Sequence, residues 1–125
     1  MIKISDYMTR PVITAKRTDA IRSAVVKMDH YNIGSLVIVD NKKPVGIMTE
    51  RDVMRKAIAK SMDLDKTSCE KIMTKKIETV TEKATLIEIA SLMKAKTMRR
   101  IVVINSKGEV AGIVTSKDLI DILCT

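Results

Sequence analysis

Apolar residues in this chain follow two rhythms, and each rhythm occurs twice. The continuous branched runs Leu36-Val37-Ile38-Val39 and Ile101-Val102-Val103-Ile104 predict strands buried on both faces. Before each run, apolar positions fall at i, i+3, i+4 and i+7. These are Ile21, Ala24, Val25 and Met28, then Leu86, Ile89, Ala90 and Met93, and they predict amphipathic helices. Short strands over 12–15 and 77–80 lead into those helices, and Thr85 with Glu88 has capping-box spacing at the second. A polar turn then joins each buried run to a second strand, over 45–48 or 110–114. A closing helix starts after Thr49 or Thr115, with Val53, Met54, Ala57 and Ile58, or Leu119, Ile120 and Leu123, as its apolar positions. The order strand, helix, strand, strand, helix therefore appears twice, with a polar connection over 61–70.

The two copies align in register. An offset of 65 pairs Met8 with Met73, Thr14 with Thr79, Met28 with Met93 and Val37 with Val102. One residue is inserted where Asn41-Lys42-Lys43 faces Asn105-Ser106-Lys107-Gly108, and the offset is 66 from there on. These are turn compositions, where length changes are tolerated. The prediction is an α/β (α+β) fold of two β-α-β-β-α repeats with pseudo-twofold symmetry, spanning 1–62 and 63–125. Half of a 125-residue chain buries too little surface to be stable alone, so the halves are expected to share a core.

Composition narrows the class. Hydrophobic residues at 46% exclude disorder, and no apolar run reaches membrane-spanning length. The opening Met1-Ile2-Lys3-Ile4 lacks a secretory apolar stretch, so the expected location is cytoplasmic. With no Phe or Trp, branched residues and nine Met must fill the interior. Cys69, Cys124 and His30 have no metal-ligand spacing. The formal charge of +8 attracts polyanions of any kind and leaves nucleic-acid binding open as an alternative.

The sharpest motif is Gly46-Ile47-Met48-Thr49-Glu50-Arg51-Asp52, which returns as Gly112-Ile113-Val114-Thr115-Ser116-Lys117-Asp118. Thr-x-x-Asp at a helix start is a capping arrangement in its own right. Three features add a ligand-binding reading. The glycine permits close approach of another group. Arg51 and Lys117 put a cation beside a helix N-terminus. A carboxylate can accept from both hydroxyls of a ribose. Cap and ligand site both stay open at this level.

With Met8-Thr9 and Met73-Thr74 ahead of the first strands, the twin motifs and the strand order, the chain resembles the CBS (cystathionine β-synthase) domain pair, in its stand-alone tandem form. The resemblance runs from about residue 4 to the C-terminus. It implies a non-catalytic regulatory module that needs no cofactor. The implied ligand is an adenine nucleotide (AMP, ADP or ATP), held in clefts between the repeats, with occupancy signalled to an unknown target protein. It also implies a homodimer formed through the outer helices, and no membrane association.

Carried over by position, one cleft combines Thr49, Arg51 and Asp52 with Ile77, Glu78 and Thr79, plus Arg99 and Arg100. The other combines Thr115, Ser116, Lys117 and Asp118 with Val12, Ile13 and Thr14, and has Gly34-Ser35 where the first has the arginines. The first is therefore expected to favour the more phosphorylated ligand. Adjacent strand residues point to opposite faces, so one arginine of the pair is expected to reach phosphate. A nucleic-acid-binding basic protein and a ligand-free dimerisation module are the alternatives. Almost no aromatic residue is present to build a base-stacking platform.

Overall fold

The computed structural model of the chain describes residues 3–8, 10 and 12–124. They form two compact units: Ile13–Ile77, and the described residues of Met1–Val12 together with Glu78–Thr125. The repeat as cut in sequence and the compact unit in space thus begin at different residues.

The Ile13–Ile77 unit contains β1 (Thr14–Lys16), α1 (Ile21–Tyr31), β2 (Ser35–Asp40), β3 (Lys43–Thr49) and α2, a single turn over Glu50–Asp52. β1 pairs in parallel with β2, and β2 antiparallel with β3, in the order β1-β2-β3. The parallel pair requires a crossover, which α1 supplies. Its apolar stripe, Ile21, Ala24 and Met28, packs with Leu36, Ile38 and Met48 of the sheet. The unit keeps residues 63–77 as well: Cys69 and Ile72 are fully buried in the same core.

The second unit repeats the plan with β4 (Thr79–Thr81), α3 (Leu86–Lys96), β5 (Arg100–Ile104), β6 (Val110–Thr115) and α4 (Ser116–Leu123). Its sheet has the order β4-β5-β6, again one parallel and one antiparallel pair. Its core gathers Ile89, Met93, Ile101, Val103 and Val114 with Ile4 and Met8 from the start of the chain. No helix among the described residues is long and apolar enough to cross a membrane.

Three local details differ from the pattern of the sequence. β1 and β4 begin two residues later than the apolar runs at 12 and 77, because pairing starts where Val37 and Val102 become available opposite Thr14 and Thr79. Each copy opens with a single 3-10 turn, Ile4–Asp6 or Cys69–Lys71, which drives one buried side chain into the core. After α2, Val53–Ile58 is a π-helix, in which the Ala59 N–H reaches back five residues to the Met54 carbonyl. Its counterpart α4 is regular α-helix.

Candidate functional site

Each Thr-x-x-Asp motif sits where an antiparallel strand ends and a helix begins. Thr49 and Thr115 are extended N-caps, φ −111° and −112°. In each copy the Thr hydroxyl accepts from the Asp N–H, and the Asp carboxylate accepts from the Thr N–H, closing a capping box. The Thr N–H to Asp Oδ2 distances are 3.0 Å at Asp52 and 2.8 Å at Asp118. The carboxylates are thus oriented by backbone physics before any ligand is considered.

Their surroundings differ. Asp52 is only 7% exposed. The Thr74 hydroxyl donates to its carboxylate at 3.2–3.3 Å, and Lys56 Nζ lies 3.0 Å from Oδ1 while also donating to the Ile72 carbonyl at 3.1 Å. Asp118 is half-buried, and the Thr115 hydroxyl also lies 3.2 Å from its Oδ2. The residue matching Lys56 is Ile122, whose side chain carries no charge. Thr9, the match for Thr74, lies outside the described residues.

The motif glycines have a structural cause. A Cβ on Gly46 would lie 2.6 Å from Met73 Sδ and 2.9 Å from the Thr74 carbonyl oxygen. A Cβ on Gly112 would meet the Met8 side chain in the same way. The group that approaches closely is therefore the methionine that precedes each first strand, and Ile47 and Thr74 exchange backbone hydrogen bonds at 2.8 and 3.0 Å beside it.

The other candidate residues divide between the units. In Ile13–Ile77, Ser35 pairs with Thr49 across β2 and β3, and the Gly34 carbonyl accepts from Glu50 N–H at 3.1 Å. Arg51 is exposed, and Ile13 and Thr14 are half-buried at the start of β1, where the Thr14 carbonyl accepts from Lys27 Nζ at 2.9 Å. Ile77 closes this unit. In the other unit Arg100 pairs with Thr115 across β5 and β6, and the Arg99 carbonyl accepts from Ser116 N–H at 2.9 Å. Arg100 is half-buried and Arg99 exposed, Lys117 is exposed, and Val12, Glu78 and Thr79 belong to the same unit. The structure brings Arg100 to the strand position beside Thr115. Lys56 and Thr74 escaped the sequence reading. Their only signal was the i, i+4 spacing of Asp52 and Lys56 and the Thr of the Met73-Thr74 pair. Among the described residues no group of three or more His, Cys, Asp or Glu side chains is placed to hold a metal ion.

Comparison with known proteins bears on this geometry. The CBS domain model matches twice, over residues 4–59 and 69–124. Protein YlbB of Bacillus subtilis is 37% identical over 124 residues, covering 95% of this chain and 80% of that protein. Protein MK0525 of Methanopyrus kandleri is 33% identical over 97% of this chain, which spans 62% of MK0525's length. Among solved structures, the CBS domain pair of protein MJ0100, in complex with 5'-methylthioadenosine and S-adenosyl-L-methionine, superposes with a TM-score of 0.85 at 31% identity. That match covers 99% of this chain and 97% of the other. Two family matches, in register with two sheets of the same order and two capped Thr-x-x-Asp turns, place the chain in the CBS domain family as a tandem pair.

Proposed function

We propose that this CBS pair is a non-catalytic regulatory module that binds an adenosine-containing ligand at its Thr-x-x-Asp turns and passes occupancy to a partner protein. The observation that carries the reading is Asp118. Its carboxylate is held by the Thr115 N–H at 2.8 Å and is half-buried at the start of a helix. A fixed carboxylate suits a ribose diol. The ligands named for the MJ0100 pair share the adenosine unit, which supports that class.

Within this proposal Thr49, Arg51 and Asp52 form the corresponding half-site. Ile77, Glu78 and Thr79, or Val12, Ile13 and Thr14, supply the backbone edge for adenine, as the family resemblance implies. Arg99 and Arg100 are the phosphate contacts, and Gly34-Ser35 holds the uncharged equivalent position. Self-association through helices is part of the same proposal. It is motivated by Met54 and Ile58 on one unit and Ile87, Ile120 and Leu123 on the other, all more than half exposed.

Titration calorimetry of the full chain against AMP, ADP, ATP, 5'-methylthioadenosine and S-adenosylmethionine tests the reading. Two charge-assisted bonds to ribose make Asp118→Asn weaken binding by at least about tenfold. No heat with any of the five, or an unchanged affinity in Asp118→Asn, overturns it.

A further inference from the structure

The unit Ile13–Ile77 carries a polar concavity at the opposite end of its sheet from Thr49. In the β2–β3 hairpin, Ser35 pairs with Thr49 at one end and Asp40 with Lys43 at the other, so five residues, about 17 Å of strand, separate them. At the far end a hollow of about 490 Å³ is lined by the close of β1, the turn after it, Lys27 of α1, and the hairpin turn Asn41-Lys42.

Its wall is electrostatically unbalanced. Lys16, Arg17, Lys27 and Lys42 line it against two carboxylates, Asp19 and Asp40. Both carboxylates are already engaged. Asp40 lies 3.2 Å from Arg17, which also binds Glu70 at 2.7 Å, and Asp19 accepts from the Lys16 N–H at 2.9 Å. Among the described residues no carboxylate pairs with the ammonium groups of Lys16, Lys27 or Lys42. The unit as a whole carries 14 Lys and Arg against 8 Asp and Glu, so it holds +6 of the chain's +8.

Two positions depart from what folding alone favours. Lys27 matches Leu92 in the second copy, and Leu92 packs on its core as an apolar residue should. Lys27 instead turns its ammonium to the Thr14 carbonyl at the edge of the sheet, with two further protons to donate. Asn41 and Lys42 form a two-residue hairpin turn with φ of 52° and 68°. Such turns favour Asn-Gly, and a lysine in the second place is strained. In the second copy the turn is one residue longer, and its left-handed position is Gly108, φ 78°. The counterparts of Lys16 and Arg17 there are Thr81 and Glu82. The basic lining thus belongs to the first copy, and two of its members sit where an apolar residue or a glycine would fold better.

We propose that this hollow binds a small molecule bearing two or more phosphate groups, at a site separate from the Thr-x-x-Asp turns. Its volume lies in the range of small-ligand pockets. A wall that contains Asp19 and Asp40 suits a compact anion seated among the ammonium groups better than a continuous nucleic-acid backbone that must cross both carboxylates.

The test is titration of the 15N-labelled full chain with inorganic pyrophosphate at constant ionic strength, followed by amide shifts. Saturable shifts are expected at Lys16 to Asp19 and at Asn41 and Lys42, unaltered by Asp118→Asn. Lys27→Leu, which copies the second repeat, is expected to weaken binding by about two- to fivefold, the worth of one partly exposed charge contact, without lowering Tm. Lys42→Gly relieves the turn and is expected to raise Tm while weakening pyrophosphate binding. Shifts confined to Arg99 and Arg100, or an affinity unchanged in both variants, overturn the proposal. So does duplex DNA saturating the same residues at lower concentration than pyrophosphate.

Discussion

Lys56 Nζ lies 3.0 Å from Asp52 Oδ1, one helical turn along from a carboxylate already held by Thr49 and Thr74. A ribose that enlists Asp52 must compete with that ammonium, whereas the matching position beside Asp118 is Ile122. Asp52→Ala removes three partners from a buried site and is expected to cost about 2–4 kcal/mol. Asp118→Ala removes a helix cap and is expected to cost about 1 kcal/mol. Urea unfolding of the two variants checks the order. Equal costs would show that the contacts around Asp52 add nothing to its cap.

Lys56→Met separates the stabilising role from the binding role. Lys56 is about half exposed, so its loss is expected to cost under about 1 kcal/mol. If the proposed half-site at Thr49 operates, freeing Asp52 Oδ1 raises adenosine affinity there. Calorimetry on the background of Asp118→Asn reads that site in isolation, and a weaker affinity in the double variant contradicts the competition.

Gly46→Ala and Gly112→Ala should each be repaired in part by shortening the methionine they meet. Both introduce a Cβ into a methionine and are expected to cost about 1–3 kcal/mol. Among the described residues the atoms nearest a Cβ on Gly112 belong to the Met8 side chain, so Met8→Ala should recover part of the loss. Gly46 also meets the Thr74 backbone oxygen at 2.9 Å, so Met73→Ala should leave part of the loss unrecovered. A double-mutant cycle on each pair measures the recovery, and additive costs in either pair would show that the methionine is not what crowds the glycine.

Helix α3 ends on Thr97 with φ 54°, a left-handed position that suits a β-branched residue poorly. Its counterpart at the end of α1 is Asn32, φ 53°. Thr97→Asn is therefore expected to stabilise the protein by about 0.5–1 kcal/mol, read as a raised Tm. A lowered Tm would mean that Thr97 makes up the strain through its own contacts.

Burial pushes the Cys69 thiol up from 9.0 to about 11. The folded chain keeps this proton over a range in which the unfolded chain loses it. The resulting stability is complete below about pH 9 and lost as pH rises through about 11, by up to about 3 kcal/mol. Comparing the pH dependence of unfolding between the native chain and Cys69→Ala isolates this limb. Parallel curves from pH 8 to 11 would remove it.

Element order and all three capping boxes were legible in the chain. A 3.6-residue period, an unbroken branched run and a Thr three residues before a carboxylate are local signals, set by neighbours within one turn or one strand. The starts of β1 and β4 were misplaced because an apolar run shows where a strand can form, while pairing with Val37 or Val102 decides where it does. The π-helix over Val53–Ile58 left no mark in the apolar spacing, since one residue slipped per turn shifts the face only gradually.

The duplicated motif shows the same division. The residues alone indicate two Thr-x-x-Asp helix starts, each able to cap itself, since both partners lie within four residues. Folding decided what presses on each glycine: Met73 packs on Gly46 and Met8 on Gly112. It also decided that Asp52 is shared with Thr74 and Lys56. The Met–Gly contacts and the Thr74 bond join segments far apart in the chain, and the Lys56 bond depends on where a π-helical turn sets its side chain. They follow from how the core closes, which periodicity and capping chemistry do not encode.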